Sequence, residues 1–392
     1  MAGRERVGSM AVKLLERWRL RDVTVRNRIM ISPMCQYSAR GDGKVMDWHL
    51  AHYGRFAIGG AGLVMTEATA VVPEGRLSHG DLGLWSDDHV PGLARLAELI
   101  TSQGAVPGLQ LGHAGRKAGM RRPWHGDGAV DAADLAERGE APWPTVSVSG
   151  APAAENLPAP RMLRLDEIPA LLDSWRAAAR RALEAGFRII EIHAAHGYLI
   201  NCFLSPLSNK RSDAYGGDRI NRMRLAIEIV RAVRSVWPES LPLFCRISAI
   251  DAAADGWNLD DSVQLAIAMR AAGVDVIDCS SGGIGGDLSV IPRGPGFQVP
   301  FAQRIREEAG IATVAVGLIV GAQQAADVID QGRADIVAIG REALFNPNWP
   351  LHAAMQLQPE RRFEDWPPQS GWWLGRRKTP HIPFPEPVPD PA

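Results

Sequence analysis

The chain's shortages narrow it first. Its 392 residues hold only four cysteines. Cys35, Cys202, Cys245 and Cys279 stand far apart, with no CxxC spacing. That speaks against a zinc knuckle or a disulfide scaffold and suits a reduced, cytoplasmic protein. No apolar run approaches the roughly 20 residues that span a bilayer, so no membrane partner is expected. An excess of one charge is missing too: 43 basic side chains stand against 44 acidic ones, which argues against nucleic acid as a partner. The opening "MAGRERVGSM" carries arginines with no apolar h-region behind them, so it does not make a signal peptide. With a second methionine at Met10, residues 1–11 read as an N-terminal extension. No GxGxxG follows the first strand-like run, which weakens the case for an open dinucleotide-binding sheet.

What is present is a rhythm. Short apolar runs recur as "RIMISPM", "GLVMTEA", "VPGLQLG", "RIIEIHA", "LFCRISA", "DVIDCSS", "ATVAVGL" and "DIVAIGR". Amphipathic stretches with helical spacing lie between most of them, such as "DEIPALLDSWRAAARRALEAG" and "NRMRLAIEIVRAVRSVW". Eight buried-type strands alternating with helices predict an α/β fold, a (β/α)8 TIM barrel over residues 12–363. A doubly wound sheet is the alternative. Two segments break the rhythm. Residues 114 to about 165 form a long excursion after the third strand, rich in Gly, Pro and Ala. Residues 364–392 form a tail dense in tryptophan and then in proline, whose last dozen residues are expected to be extended.

Alternation along each strand separates two faces. Ile190, Ile192 and Ala194 suit the surrounding helices, which turns Glu191 and His193 inward; Leu109 and Leu111 leave Gln110 inward, and Arg246 shares its face with Phe244 and Ser248. These polar groups fall near strand C-terminal ends, where barrel enzymes keep their chemistry. A buried guanidinium needs an anion or several acceptors. For Arg246 that is either an ion pair with Glu191 or Glu67, or a bound group that becomes negative during turnover. Gly317 and Gly340, ending strands seven and eight, place backbone amides as a phosphate cradle would, and Arg341 adds a bidentate fork.

In "EIHAAHGYLIN", His193, His196 and Tyr198 cluster just past a strand. Packing, a metal site, or a place where a substrate oxygen is held and a proton delivered all remain open. A metal site would need at least one further ligand, with His113 and nearby carboxylates as candidates in no recognisable spacing.

Together "SPMCQYSA", "LQLGHAGRK", "EIHAAHGYLINCFLSPLSNKRSDAYGG" and "IGREAL" resemble the Old Yellow Enzymes, and "RRPWHGDG" points within them to the thermophilic-like ene-reductases. The resemblance covers roughly residues 12 to 375. It implies an FMN-bound barrel that takes hydride from NADPH or NADH and reduces small activated alkenes, working as a homodimer or higher homo-oligomer. It implies that Ser32, Pro33, Met34, Cys35, Ala68 and Gln110 line the flavin. Arg246 would face the pyrimidine side of the ring, and Gly317, Gly340 and Arg341 would hold the phosphate. His193 and His196 would bind the substrate carbonyl oxygen beside Tyr37, with Lys117 nearby and Tyr198 as proton donor. Such tails often reach a neighbouring subunit's site with an aromatic or an arginine. Here "PPQSGWWLG" has Ser370 and Gly371 where a tyrosine and a charged residue are common, so Trp373 is the candidate. A metal-dependent lyase or aldolase on the same barrel, and a flavin-based redox sensor, are the competing functions.

Overall fold

The computed structural model describes residues 12–285, 289, 291 and 293–377. Eight parallel strands close on themselves: β1 (Ile29–Ile31), β2 (Leu63–Ala70), β3 (Val106–Gly112), β4 (Ile189–Ala194), β5 (Leu243–Ser248), β6 (Val276–Ser280), β7 (Ala312–Ala315) and β8 (Ile336–Ile339). Each pairs with its successor, and β8 returns to β1 through Ala338 opposite Met30. The expected barrel is therefore the observed one. Closure explains the composition of the runs. Each strand has helices outside and other strands' side chains inside, so nearly every strand position is buried.

The helices follow the amphipathic stretches. Ile168–Glu184 starts with a proline in its first turn and buries Leu171, Trp175, Ala178, Ala179 and Ala182, one stripe at helical spacing. Leu259–Ala271 is capped by Asn258, whose side chain accepts from the amides of Asp260 and Asp261. An antiparallel hairpin, Trp18–Leu20 with Val23–Val25, precedes β1. Its Arg21 reaches Asp275, just before β6, at 2.7 Å, so the hairpin covers the end where strands begin.

The other end is covered by the excursion after β3. It contains a short helix, Ala132–Arg138, and a two-stranded parallel pair, Val146–Ser147 with Arg161–Met162. Three arginines tie this cap to loops from distant strands. Arg116 donates to Ile284 O (2.6 Å) beyond β6, and Arg211 beyond β4 donates to Leu163 O (2.7 Å). Arg122 donates to Tyr37 O (2.9 Å) and Ala39 O (3.0 Å) beyond β1, and pairs with Glu140. The tail begins as a folded part of the same body: helix Pro368–Leu374 follows Trp366, whose ring lies 5.5 Å from His352 and 5.9 Å from Phe363. The N-terminal extension and the proline-rich end lie outside the described residues.

Arg122→Ala deprives buried Glu140 of a cation and two carbonyls of a donor. The expected cost is about 1–3 kcal/mol. It should appear as a lower thermal midpoint and faster proteolysis within residues 114–165. Unchanged melting and unchanged cleavage would show that Arg122 does not anchor the cap.

Candidate active site

The end of β4 carries His193 and the loop after it carries His196 and Tyr198, and the structure brings all three together. His193, the inward residue next to the end of β4, is 5% exposed. Its Nδ1 accepts from the amide of Ala195 at 3.2 Å. A neutral ring then carries its proton on Nε2, a free donor. Burial, then the cations Arg246 and Lys117, lower its pKa to about 3. The ring is a hydrogen-bond donor without being a charge. Tyr198 stacks on it at 4.4 Å and 24°. Burial, then Cys35, Asp81 and Tyr37, push the Tyr198 phenol up, so it keeps its proton.

His196 stands across from His193 at 5.2 Å, ring perpendicular. It holds φ +61°, a left-handed backbone that a non-glycine residue adopts only when its surroundings require it. The causes are visible. Its amide donates to Ser248 Oγ (2.9 Å), Lys117 Nζ donates to its carbonyl (2.7 Å), and its Nε2 meets Ser280 Oγ at 2.7 Å. Gly283 leaves it room: a Cβ there would lie 2.2 Å from the His196 carbonyl carbon. Lys117 is thus placed at the site, acting on the backbone of His196.

Below this pair lies Arg246, opposite His193 on one side and Asp278 on the other. The expected ion pair with Glu191 or Glu67 is not what forms. Asp278 Oδ2 is the partner, 3.4 Å from Arg246 Nε, while Nη1 donates to Ser32 Oγ at 3.2 Å. Glu67 is taken up by His49 (3.3 Å), the Tyr53 hydroxyl and the Gln36 amide. Glu191 accepts from Gln110 Nε2 at 2.8 Å. Asp278, in "DVIDCSS", is not among the residues expected at the site, although the alternation that turns Arg246 inward applies to it equally.

The segment after β1 completes the mouth. Ser32, Pro33, Met34 and Cys35 follow one another there, and Tyr37 takes φ +52° with its carbonyl held by Arg122. Burial, then Asp81 and Glu67, raise the Cys35 thiol, so it is no thiolate nucleophile. Cys35 packs with Ala68, Ala114, Ala118 and Tyr198. At β8 a Cβ on Gly340 would meet nothing nearer than Met34 Sδ and Ser32 Cβ, both at 3.9 Å. Gly317 has φ +112° and backs onto Phe297 and Gln298. Arg341 is exposed, with no hydrogen bond or ion pair among the described residues. Trp373 does not join this group in its own chain: it is 68% exposed and touches Trp372. A metal reading finds no support, since among the described residues no three His, Cys, Asp or Glu side chains are placed to share an ion. His113 Nδ1 is already an acceptor for Gly115 N at 3.0 Å.

Residues 13–360 match the model of the NADH:flavin oxidoreductase / NADH oxidase family. This chain belongs to that family. An NADPH dehydrogenase from Geobacillus sp. (strain WCH70) is 47% identical over 353 residues, 89% of this chain and 95% of that protein. Among solved structures, morphinone reductase aligns with TM-score 0.73 at 25% identity, over 89% of this chain and 91% of that one. An old yellow enzyme homologue from Zymomonas mobilis shares the fold with TM-score 0.70 at 24% identity, over 90% and 93% of the two chains. The resemblance to the Old Yellow Enzymes thus holds.

The family's cofactor is FMN, and the residues present suit it. Arg246 Nε is buried without a hydrogen-bond partner. Such an orphan donor beside apolar strand ends suits the anionic edge of a planar ring. The open ground before Gly340 and the unpaired fork of Arg341 suit a phosphate.

Nitrogen NMR should show His193 as the neutral Nε2–H tautomer. Because burial and two cations disfavour its charged form, it should not titrate until the pH falls to about 3. A midpoint near the ordinary value of about 6.5 would contradict the site's electrostatics.

Proposed function

We propose that this chain reduces the C=C bond of small α,β-unsaturated carbonyl compounds in two alternating half-reactions. One observation carries the reading: a neutral donor ring, a second imidazole 5.2 Å away and a protonated tyrosine stacked on the first, all at the end of β4 and in the loop that follows it. FMN, when bound, would accept hydride from a nicotinamide and pass it to the acceptor's β-carbon. The names of the curated relatives favour NADPH as the donor.

The side chains do the rest. His193 and His196 hold the carbonyl oxygen and stabilise the negative charge that develops there, each by about 3 kcal/mol in the manner of oxyanion-hole donors. Tyr198 delivers a proton to the α-carbon on the face away from the incoming hydride. Its raised pKa keeps it protonated at neutral pH, ready to donate. Tyr37 walls the oxygen side, and Lys117 fixes His196 through its carbonyl. Ser32, Pro33, Met34, Cys35, Ala68 and Gln110 line the cofactor. Arg246 favours its negatively charged form, and Gly317, Gly340 and Arg341 take the phosphate. Cys35, as a half-buried thiol that keeps its proton, tunes the cofactor without attacking substrate.

Two indoles, Trp372 and Trp373, are 52% and 68% exposed on the tail helix. Their exposure supports a second copy of the chain covering them, with Trp373 reaching its substrate pocket. All four cysteines are free, and among the described residues no helix is long and apolar enough to cross a membrane. A cytoplasmic enzyme with ready access to NADPH fits these features.

Tyr198→Phe should leave reduction by NADPH near normal and slow enone reduction about 10²–10⁴-fold in stopped-flow. Unchanged enone reduction would remove Tyr198 from the proton-donating role.

A further inference from the structure

Glu191 and Asp278 are used by none of the steps above, yet both are 0% exposed. They come from strands that flank β5. Among the described residues one cation, Arg246, stands with them. Glu191 Oε1 is satisfied by Gln110, but Glu191 Oε2 and both oxygens of Asp278 have no hydrogen-bond partner among the described side chains and backbone. Two ionised carboxylates cannot share a dry site with a single guanidinium without one of them taking up a proton. A proton between Glu191 Oε2 and Asp278 would satisfy Glu191 Oε2 and one Asp278 oxygen, while Asp278 Oδ2 faces Arg246 Nε at 3.4 Å.

We infer that Glu191 and Asp278 hold one shared proton, so that Arg246 meets the cofactor as half of a neutral ion pair whose anion is Asp278. The inference rests on Arg246 facing the flavin, as proposed above. Its consequence is a restrained arginine: Asp278 weakens the pull that a lone guanidinium would exert toward the reduced, negative cofactor. Burial, then the charge of Asp278, pushes the Glu191 carboxyl well up, with Arg246 opposing. Burial raises Asp278 too, again against Arg246. Among the described residues the remaining groups near the pair do not supply another cation. Gln110 of β3 is neutral, and Val314 of β7 lies opposite Asp278. The thiols Cys245 of β5 and Cys279 of β6 are pushed up by burial and stay uncharged. Glu191 and Asp278 are positioning residues, acting through Arg246.

The test uses the FMN-loaded enzyme and two readouts that do not depend on alkene turnover. Infrared difference spectra at pH 8–9 should show a protonated-carboxyl stretch, shifted by deuterium oxide, that Glu191→Gln abolishes. In potentiometric titration, Glu191→Gln keeps the charge and still donates to Asp278, so the midpoint potential should stay near wild type. Asp278→Asn combined with Glu191→Gln leaves Arg246 unbalanced, since no carboxylate of the pair remains to ionise beside it, so the potential should move positive. If both carboxylates are ionised, the infrared band is absent and Glu191→Gln moves the potential positive as well, which overturns the shared proton. A band that responds as expected with potentials that do not move would overturn the link from Arg246 to the cofactor. Should either variant fail to fold, carbon-13 labelling of glutamate in the wild-type protein decides: the band should shift if Glu191 holds the proton, and a band that shifts only on labelling of aspartate overturns the assignment. None of these outcomes turns on whether the alkene reading is right.

Discussion

A guanidinium buried inside a closed ring of apolar strands is the constraint from which the site follows. An isolated charge there would be prohibitively costly, so the barrel must supply acceptors around Arg246. It does so from neighbouring strands: Ser32 just past β1 and Asp278 from β6. That set still leaves Nε without a good hydrogen bond. The same charge reaches upward. It helps keep His193 and His196 neutral, so neither imidazole carries a charge at neutral pH. One cation thus bears on two tasks: it keeps two rings from charging and, in the function proposed above, it welcomes an anionic cofactor edge.

The second requirement is that the donors stay where they are. Strand ends are rigid, but His196 lies past its strand in a left-handed conformation that it would not choose alone. Ser248, Ser280, Gly283 and Lys117 hold it from three other segments of the chain. Tyr37 is held in the same manner by Arg122 from the cap. Loops provide the chemistry while side chains from elsewhere remove their freedom. The excursion after β3 is therefore part of the site's framework.

Much of this was legible in the sequence, and the limits have physical causes. Two-residue alternation suffices to turn Glu191, His193, Gln110 and Arg246 inward, because a strand buried on both sides leaves only two faces to choose between. The same alternation covered Asp278. What it cannot supply is the register between strands, and Arg246 meets Asp278 because those two residues lie directly opposite. Contacts such as Arg122 with Tyr37, 85 residues apart, carry no periodic signature. Nor does the space that Gly283 leaves for His196. The indoles show a different limit. Composition marks the tail as dense in tryptophan, but it does not separate Trp366, which packs on His352 and Phe363, from Trp372 and Trp373, which stay exposed.

The central claim is that His193 and His196 polarise a bound carbonyl. It is most directly tested by isotope-edited Raman or infrared spectroscopy of an enone bound to the oxidised, FMN-loaded enzyme, where no turnover occurs. The carbonyl stretch should fall well below its value in water, because two preorganised donors act on it in a dry site. His193→Leu should return most of that shift while the enone stays bound. A stretch equal to that in water, or one indifferent to loss of His193, would contradict the account.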